Sequence, residues 1–284
     1  MSGSRVTVAV LNAGSCRVPE AAVVRGGRRR LVDLPALFGL FVHSKQGPVL
    51  FDTGYHPRIV RATEGYPYRL YRWITAPSVD PAETALAQVE ARGIEADAVR
   101  WVIVSHFDPD HIGGLRDFPS ARIVCSEAAL RDATRTRVWR KHLRHMPGHL
   151  PDDLSERAHP VRRFDGPLAG PFPGSHDLFA DASILLVPIP GHAPGQMGAW
   201  VHDASGQRWL FAADGCWTRA DLRRRPGPLH PLLAHDRAAQ RRTYDELRQA
   251  LEAGEAIVVP SHCPEAAREL VAGGFMRGGT VLRS

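Results

Sequence analysis

No run of eighteen apolar residues occurs along the 284-residue chain, so the sequence predicts no membrane span. Its start, MSGSRVTVAVLNAGS, has no extended apolar h-region; no secretion signal is expected, and the cytoplasm is the default location. Cysteine is scarce. Cys16, Cys125, Cys216 and Cys263 are widely spaced with no CxxC pair, which excludes a disulfide framework and a thiolate-dominated zinc site and reads as reduced thiols. Basic motifs interleaved with aromatics are also missing. The net charge of +6, from 36 Lys+Arg against 30 Asp+Glu, therefore gives little support to nucleic-acid binding. Runs such as Arg28 to Arg30 and Arg223 to Arg225 read as solvated faces. No internal repeat stands out.

What is present alternates strands with helices. RVTVAVL (5–11), LFGLFVH (37–43) and PVLFDTG (48–54) read as strands, the last two joined at a turn carrying Gly47. PAETALAQVEARG (81–93) has Leu86 and Val89 at helical spacing, Pro81 at its start and Gly93 past its end, and it feeds the strand VRWVIVS (99–105). ARIVCS (121–126) is the next strand. Residues 127–173 turn irregular, basic and Pro/Gly-punctuated, too poor in apolar residues for their own core, and are expected to form an inserted helical cap or loop. Strands return at 183–190, 198–203 and 209–214. A helix is predicted over 236–254, a short buried strand at 256–262, and a last helix from EAARELVAGG. One domain spanning 1–284, with two mixed β-sheets covered by helices, fits this order.

The chemistry gathers at strand ends. Asp52 follows VLF, His106 to His111 follow VIVS, His192 follows VPIPG, Asp214 follows LFAA and His262 follows VVPS. Imidazole and carboxylate are ligands that zinc, manganese and iron accept. His106 and Asp108, two apart in an extended segment, point the same way toward one ion. Asp110 and His111 lie past a turn biased by Pro109 and suit a second, with Asp214 as the anionic bridge. Singly, each residue has a structural reading: a satisfied core histidine, or an aspartate capping a turn. Jointly the pattern points to metal. His43, His56, His142, His145, His149, His159, His176, His202, His230 and His235 lack such context and are expected at the surface.

LFDTG (50–54), SHFDPDHIGGL (105–115), PGHAPGQMG (190–198), FAADG (211–215) and PSHCPE (260–265), in this order, resemble the metallo-β-lactamase-fold metallohydrolases. The resemblance implies a four-layered αβ/βα sandwich of two mixed β-sheets flanked by helices, with a dinuclear metal site. It implies His106, Asp108 and His192 on one ion, Asp110, His111 and His262 on the other, and Asp214 between them. Asp52 of the DTG turn then orients a ligand histidine. The chain departs from the usual HxHxDH by reading HxDxDH, with Asp108 in a histidine's place. A harder, anionic ligand shifts the preference from zinc, the first expectation, toward manganese or iron. The motif style is similar to that of the N-acyl homoserine lactone lactonases and their esterase-like relatives. Those carry a Tyr soon after the bridging Asp, and this chain has Trp217 there.

The expected activity is that of a dinuclear hydrolase cleaving an ester, lactone or related bond by attack of a metal-bound hydroxide, with Asp110 and Asp214 as catalytic residues. A di-iron redox enzyme of the same fold is the first alternative, since Asp108 sits where such proteins place a carboxylate. A nucleic-acid-processing member is the second. The expected partner is a small molecule, anionic if basic residues line the metals, with no membrane partner; the oligomeric state is open, a dimer included. Segment 127–165, with Tyr66, Tyr68, Tyr71 and Trp73, is the expected pocket wall and lid, against an ordinary core role for those aromatics.

Overall fold

A computed structural model of the chain describes residues 5–23, 27–135, 146, 148–223, 234–271, 275–277 and 280–282. Among these, two mixed sheets form. The first runs through β1 (Val6–Pro19), β2 (Leu31–His43), β3 (Gly47–Phe51), β4 (Trp101–Ile103), β5 (Arg122–Ser126) and β6 (Ala158–Val161). The second contains β7 (His176–Asp177), β8 (Ile184–Pro188), β9 (Met197–His202), β10 (Arg208–Ala213) and β11 (Ile257–Pro260). Two further strands, β12 (Phe275–Arg277) and β13 (Thr280–Leu282), extend the first sheet to the order β13-β12-β1-β2-β3-β4-β5-β6. The second sheet has the order β11-β10-β9-β8-β7. Pairing is antiparallel from β1 to β3 and parallel from β3 to β6, and β10–β11 is the parallel step of the second sheet.

The first sheet is buried on both faces, and the period-two alternation of its strands sorts side chains between them. Val6, Val8, Val10, Phe41, Val49, Phe51, Ile103 and Val124 face the second sheet. Ala9, Leu11, Phe38, Leu40, Leu50, Val102, Ile123 and Cys125 face helices on the other side. Phe211 of β10 packs at 4.9 Å from Phe41 and 5.5 Å from Phe51, ring centroid to ring centroid, closing the two sheets on each other. Beyond the second sheet lies the Arg237–Ala253 helix, which buries Tyr244, Leu247 and Ala250. The layers are thus helix, sheet, sheet, helix.

Asp236 begins that helix by accepting from the N–H groups of Ala238 and Ala239, and Gly254 ends it at φ 63°. Both ends match the expected segment, because cap chemistry is written in single residues. Three local features differ from expectation. Helices Arg58–Ala62 and Arg69–Thr75 follow the DTG turn, too short to show a periodicity. Pro264–Ala266 and the π-turn Ala267–Val271 are not the last elements, since the β12–β13 hairpin comes after them and pairs Met276 with Val8. Within 127–173, Glu127–Arg135 is a helix with Ala129 and Ala133 in the core, and β6 pairs in parallel with β5. Of that segment, 136–145 and 147 lie outside the described residues.

Phe41 sits fully buried where the two sheets meet. Phe41→Ala is expected to destabilise the fold by about 3–5 kcal/mol, read as a lower midpoint in denaturant unfolding.

Candidate metal centre

The residues singled out at strand ends converge at one edge of the sandwich. Two groups of side chains each bring their ligand atoms within 4.8 Å of one another: His106, His192 and Asp214, and Asp110, His111 and His262. Asp214 joins them. Its Oδ1 lies 3.2 Å from both His111 Nε2 and His262 Nε2, and its Oδ2 lies 3.5 Å from His192 Nε2. Asp108 Oδ2 is 3.2 Å from His192 Nε2 and 3.6 Å from His106 Nε2, so this carboxylate stands beside the first group. Asp110 Oδ2 is 3.3 Å from His262 Nε2.

Local structure explains the close spacing of the HFDPDH stretch. The chain leaves β4 extended, and Pro109 starts the short Pro109–Ile112 helix, with Asp108 at its N-cap. Asp108 makes no side-chain capping bond, which leaves its carboxylate to the site. Asp110 and His111 fall on that first helical turn and join His262 in the second group, with the His111 ring 4.0 Å from that of His106.

Each ligand imidazole needs one nitrogen free and the other held. His111 Nδ1 donates to Asp52 Oδ2 at 2.8 Å, and His262 Nδ1 donates to the Pro35 carbonyl at 2.7 Å. Asp52 also accepts from the Ser105 N–H and hydroxyl, both at 2.8 Å. The Ser105 hydroxyl has spent its one proton on that carboxylate, so at 2.9 Å it accepts from His106 Nδ1. One buried aspartate, held at φ 60° in the left-handed region that Asp tolerates, thereby sets the tautomers of two histidines. The Nε2 atoms of His106 and His111 and Oδ1 of Asp214 are left buried without a hydrogen-bond partner. Orphaned borderline and hard donors brought close together are what a divalent cation satisfies, and the residues fit two such ions.

Electrostatics agree. Burial opposes charge on His111 and His262, but Asp214 with Asp52 and Asp110 at His111, and Asp214 with Asp110 at His262, outweigh it and lift both imidazoles well above their usual range. The same burial would raise Asp214, yet His262, His111 and His192 hold it well below the ordinary carboxylate range. His106 is lowered, by burial first and then by His111.

The Arg237–Ala253 helix fastens the loops that carry His192 and Asp214. Thr243 Oγ1 donates to the Pro190 carbonyl and Gln240 Nε2 to the Gly215 carbonyl, each at 2.7 Å. The Asp236 N–H donates to the Gly191 carbonyl at 2.9 Å, and a side chain at Gly191 would run into the backbone of Gln240. Sequence reasoning missed Ser105, Gln240 and Thr243. The available signal was polar residues at 240 and 243 on the buried face of an amphipathic helix.

Other histidines divide. His43 and His149 are buried rather than at the surface. His43 pairs with Asp181 at 3.0 Å and accepts from the N–H groups of Lys45 and Gln46, so it closes a turn. His142, His145 and His230 lie outside the described residues, as do Arg224 and Arg225. Of the upstream aromatics, Tyr66 and Trp73 are exposed, while Tyr68 and Tyr71 pack with Trp217 against the cluster of Leu34, Tyr55 and Ile59.

Comparison with known proteins follows the same lines. The family profile of the metallo-beta-lactamase superfamily matches residues 35–262. A probable metallo-hydrolase of Mycobacterium tuberculosis is 33% identical over 193 residues, 64% of this chain and 57% of that protein. The chain thus spans little more than half that relative's length. The N-acyl homoserine lactonase AiiB of Agrobacterium fabrum is 25% identical over 276 residues, 92% of this chain and 95% of that one. Among solved structures, an N-acyl homoserine lactone hydrolase with its product N-hexanoyl-L-homoserine at the catalytic metal centre superposes with a TM-score of 0.71, covering 97% of this chain and all of that one. At 18% identity this last likeness concerns the fold alone.

Two outcomes are expected. Asp52→Ala should weaken metal retention about 10–100-fold in chelator competition, because His111 and His106 lose the group that orients them. In metal-free protein, the lifted His111 and His262 contribute stability that is complete below about pH 6.5, the unfolded value, and is lost as pH rises through their folded values. Its melting temperature should fall on alkalinisation, whereas metal-loaded protein, which prefers neutral imidazole, should not follow that fall.

Proposed function

Since the chain belongs to the metallo-beta-lactamase superfamily, we propose that it is a dinuclear metal-dependent hydrolase of an ester, lactone or related acyl bond. The observation that carries this reading is the division of Asp214, one carboxylate with an oxygen turned to each histidine group. We assign His106, Asp108 and His192 to one ion, Asp110, His111 and His262 to the other, Asp214 to both, and Asp52 to orienting His111. When bound, two divalent ions supply an acidified water and positive charge for the developing oxyanion. The chain's own residues do the rest. Asp214 sets the spacing of the two sites, and the Asp110 carboxylate, 3.3 Å from His262, holds the proton that moves between water and leaving oxygen.

Zinc is our first assignment, with manganese and iron brought into competition by the hard oxygen of Asp108. The lactonase activity of these relatives makes a lactone the first substrate to try. Asp108, at 3.2 Å from His192, also supports a second reading, a di-iron redox site, because a carboxylate there favours iron. We place the protein in the cytoplasm, where its free, buried cysteines stay reduced. No helix among the described residues is long and apolar enough to cross a membrane.

A panel of lactones, aryl esters and phosphodiesters, assayed with zinc, manganese or iron, is expected to show acyl-bond turnover. Asp214→Ala and His111→Ala should each lower kcat by about a hundredfold or more while circular dichroism shows a folded chain. Unchanged turnover in either variant refutes the assignment. Two irons per chain with oxygen consumption would favour the redox reading instead.

A further inference from the structure

We propose that a cavity between the end of the β1–β2 hairpin, the Arg219–Arg223 helix and the segment after His262 binds a medium-chain fatty acid, a carboxylate on a hydrocarbon tail. The site lies apart from the metal ligands and does not depend on the hydrolase reading.

The cavity has a volume of about 430 Å³, within the range of about 300–1,000 Å³ that small-molecule sites occupy. None of the assigned metal ligands lines it. It lies against their supports instead: Cys263 directly follows His262, and Leu34 precedes Pro35, whose carbonyl accepts from His262 Nδ1. Much of the wall is apolar. Val23 and Leu34 come from the hairpin, Ala220 from the Arg219–Arg223 helix, and Pro264 from the segment after His262. At Leu31, 63% exposed, the apolar lining continues into solvent. A hydrocarbon chain entering there buries Leu31 together with its own surface.

Charge decides what the head of such a chain carries. Three carboxylates line the cavity, and each already holds an arginine. Glu20 accepts from Arg30 at 3.0 and 3.2 Å, Asp33 from Arg17 at 2.7 and 3.1 Å, and Glu265 from Arg223 at 2.7 and 2.8 Å. All three pairs are two-pronged, the geometry in which a guanidinium and a carboxylate satisfy each other. Arg268 is the exception. It lines the cavity from the Ala267–Val271 turn, is exposed, and has no hydrogen bond or ion pair with any described residue. A cationic ligand would find every carboxylate engaged, and an uncharged one would gain nothing from Arg268. A single carboxylate supplies two acceptor oxygens that fit the open guanidinium fork. Apolar walls with one spare guanidinium are the complement of a fatty acid.

The test is calorimetric titration of zinc-loaded protein with octanoate, in the wild type and in Arg268→Gln and Leu31→Asp. Both side chains are exposed, so neither change threatens the fold. Saturable binding to the wild type is expected, weakened about tenfold or more in Arg268→Gln. Leu31→Asp, which sets a like charge beside the tail, is expected to weaken it as well. Octanol, with the same tail and no charge, should bind wild type and Arg268→Gln alike; an equal loss for octanol overturns the assignment of the head to Arg268. Octanoate held by the metals instead would bind all three proteins equally, and that result overturns the proposal. So does an absence of saturable binding to the wild type. No turnover is read, so a failure of the hydrolase reading leaves this test intact.

Discussion

Asp214 is the group on which the site depends. Burying one carboxylate is costly, and burying four imidazoles beside it without charge balance would leave nitrogen lone pairs facing each other in a dry pocket. By turning Oδ1 to His111 and His262 and Oδ2 to His192, Asp214 makes two half-sites into one unit. Everything else in the molecule can be understood as holding that unit in place: two sheets whose strand ends deliver the ligands, and helices that close the outside.

The support is layered. Asp52 sits in a left-handed turn after β3 and binds both His111 and Ser105, so a strand of the first sheet governs ligands that arrive from the β4 end. His262, from the second sheet, is held by the Pro35 carbonyl of β2 in the first. The Arg237–Ala253 helix contributes no ligand, yet Gln240 and Thr243 tie down the loops of Asp214 and His192. Short, buried hydrogen bonds of this kind keep ligand positions within the few tenths of an ångström that metal coordination tolerates. Asp108 adds a fourth carboxylate to the neighbourhood and lowers its net positive charge. That is a reason for the metal preference and the substrate charge to differ from those of sites with histidine in its place.

Much of this was legible in order along the chain. Ligands at strand ends can be read from sequence because strand periodicity and turn residues are local, and because HFDPDH packs four donors into six positions. Asp52 was legible from the DTG turn. The layers and helix caps followed from apolar periodicity and from Asp236 and Gly254. Residues acting through long-range contacts were not legible. Ser105 looked like a strand end, the Pro35 carbonyl has no side-chain signature, and Gln240 and Thr243 gain their meaning only when the helix lies against two loops. His43 and His149 are buried for the same reason: what surrounds a histidine comes from distant segments. The β12–β13 hairpin escaped because strands of three residues are too short to show a periodicity and gain their pairing from β1, far away in sequence.

The sequence by itself determined the donor types, their order, the family fold and the departure at Asp108, because these are written in residue identity and local spacing. Only the tertiary structure decided which oxygen of Asp214 faces which histidines, which nitrogen each imidazole presents, and that the Trp217 ring packs edge-on beside His192 and His262. Those facts depend on distances between segments up to 227 residues apart, and no local pattern encodes them.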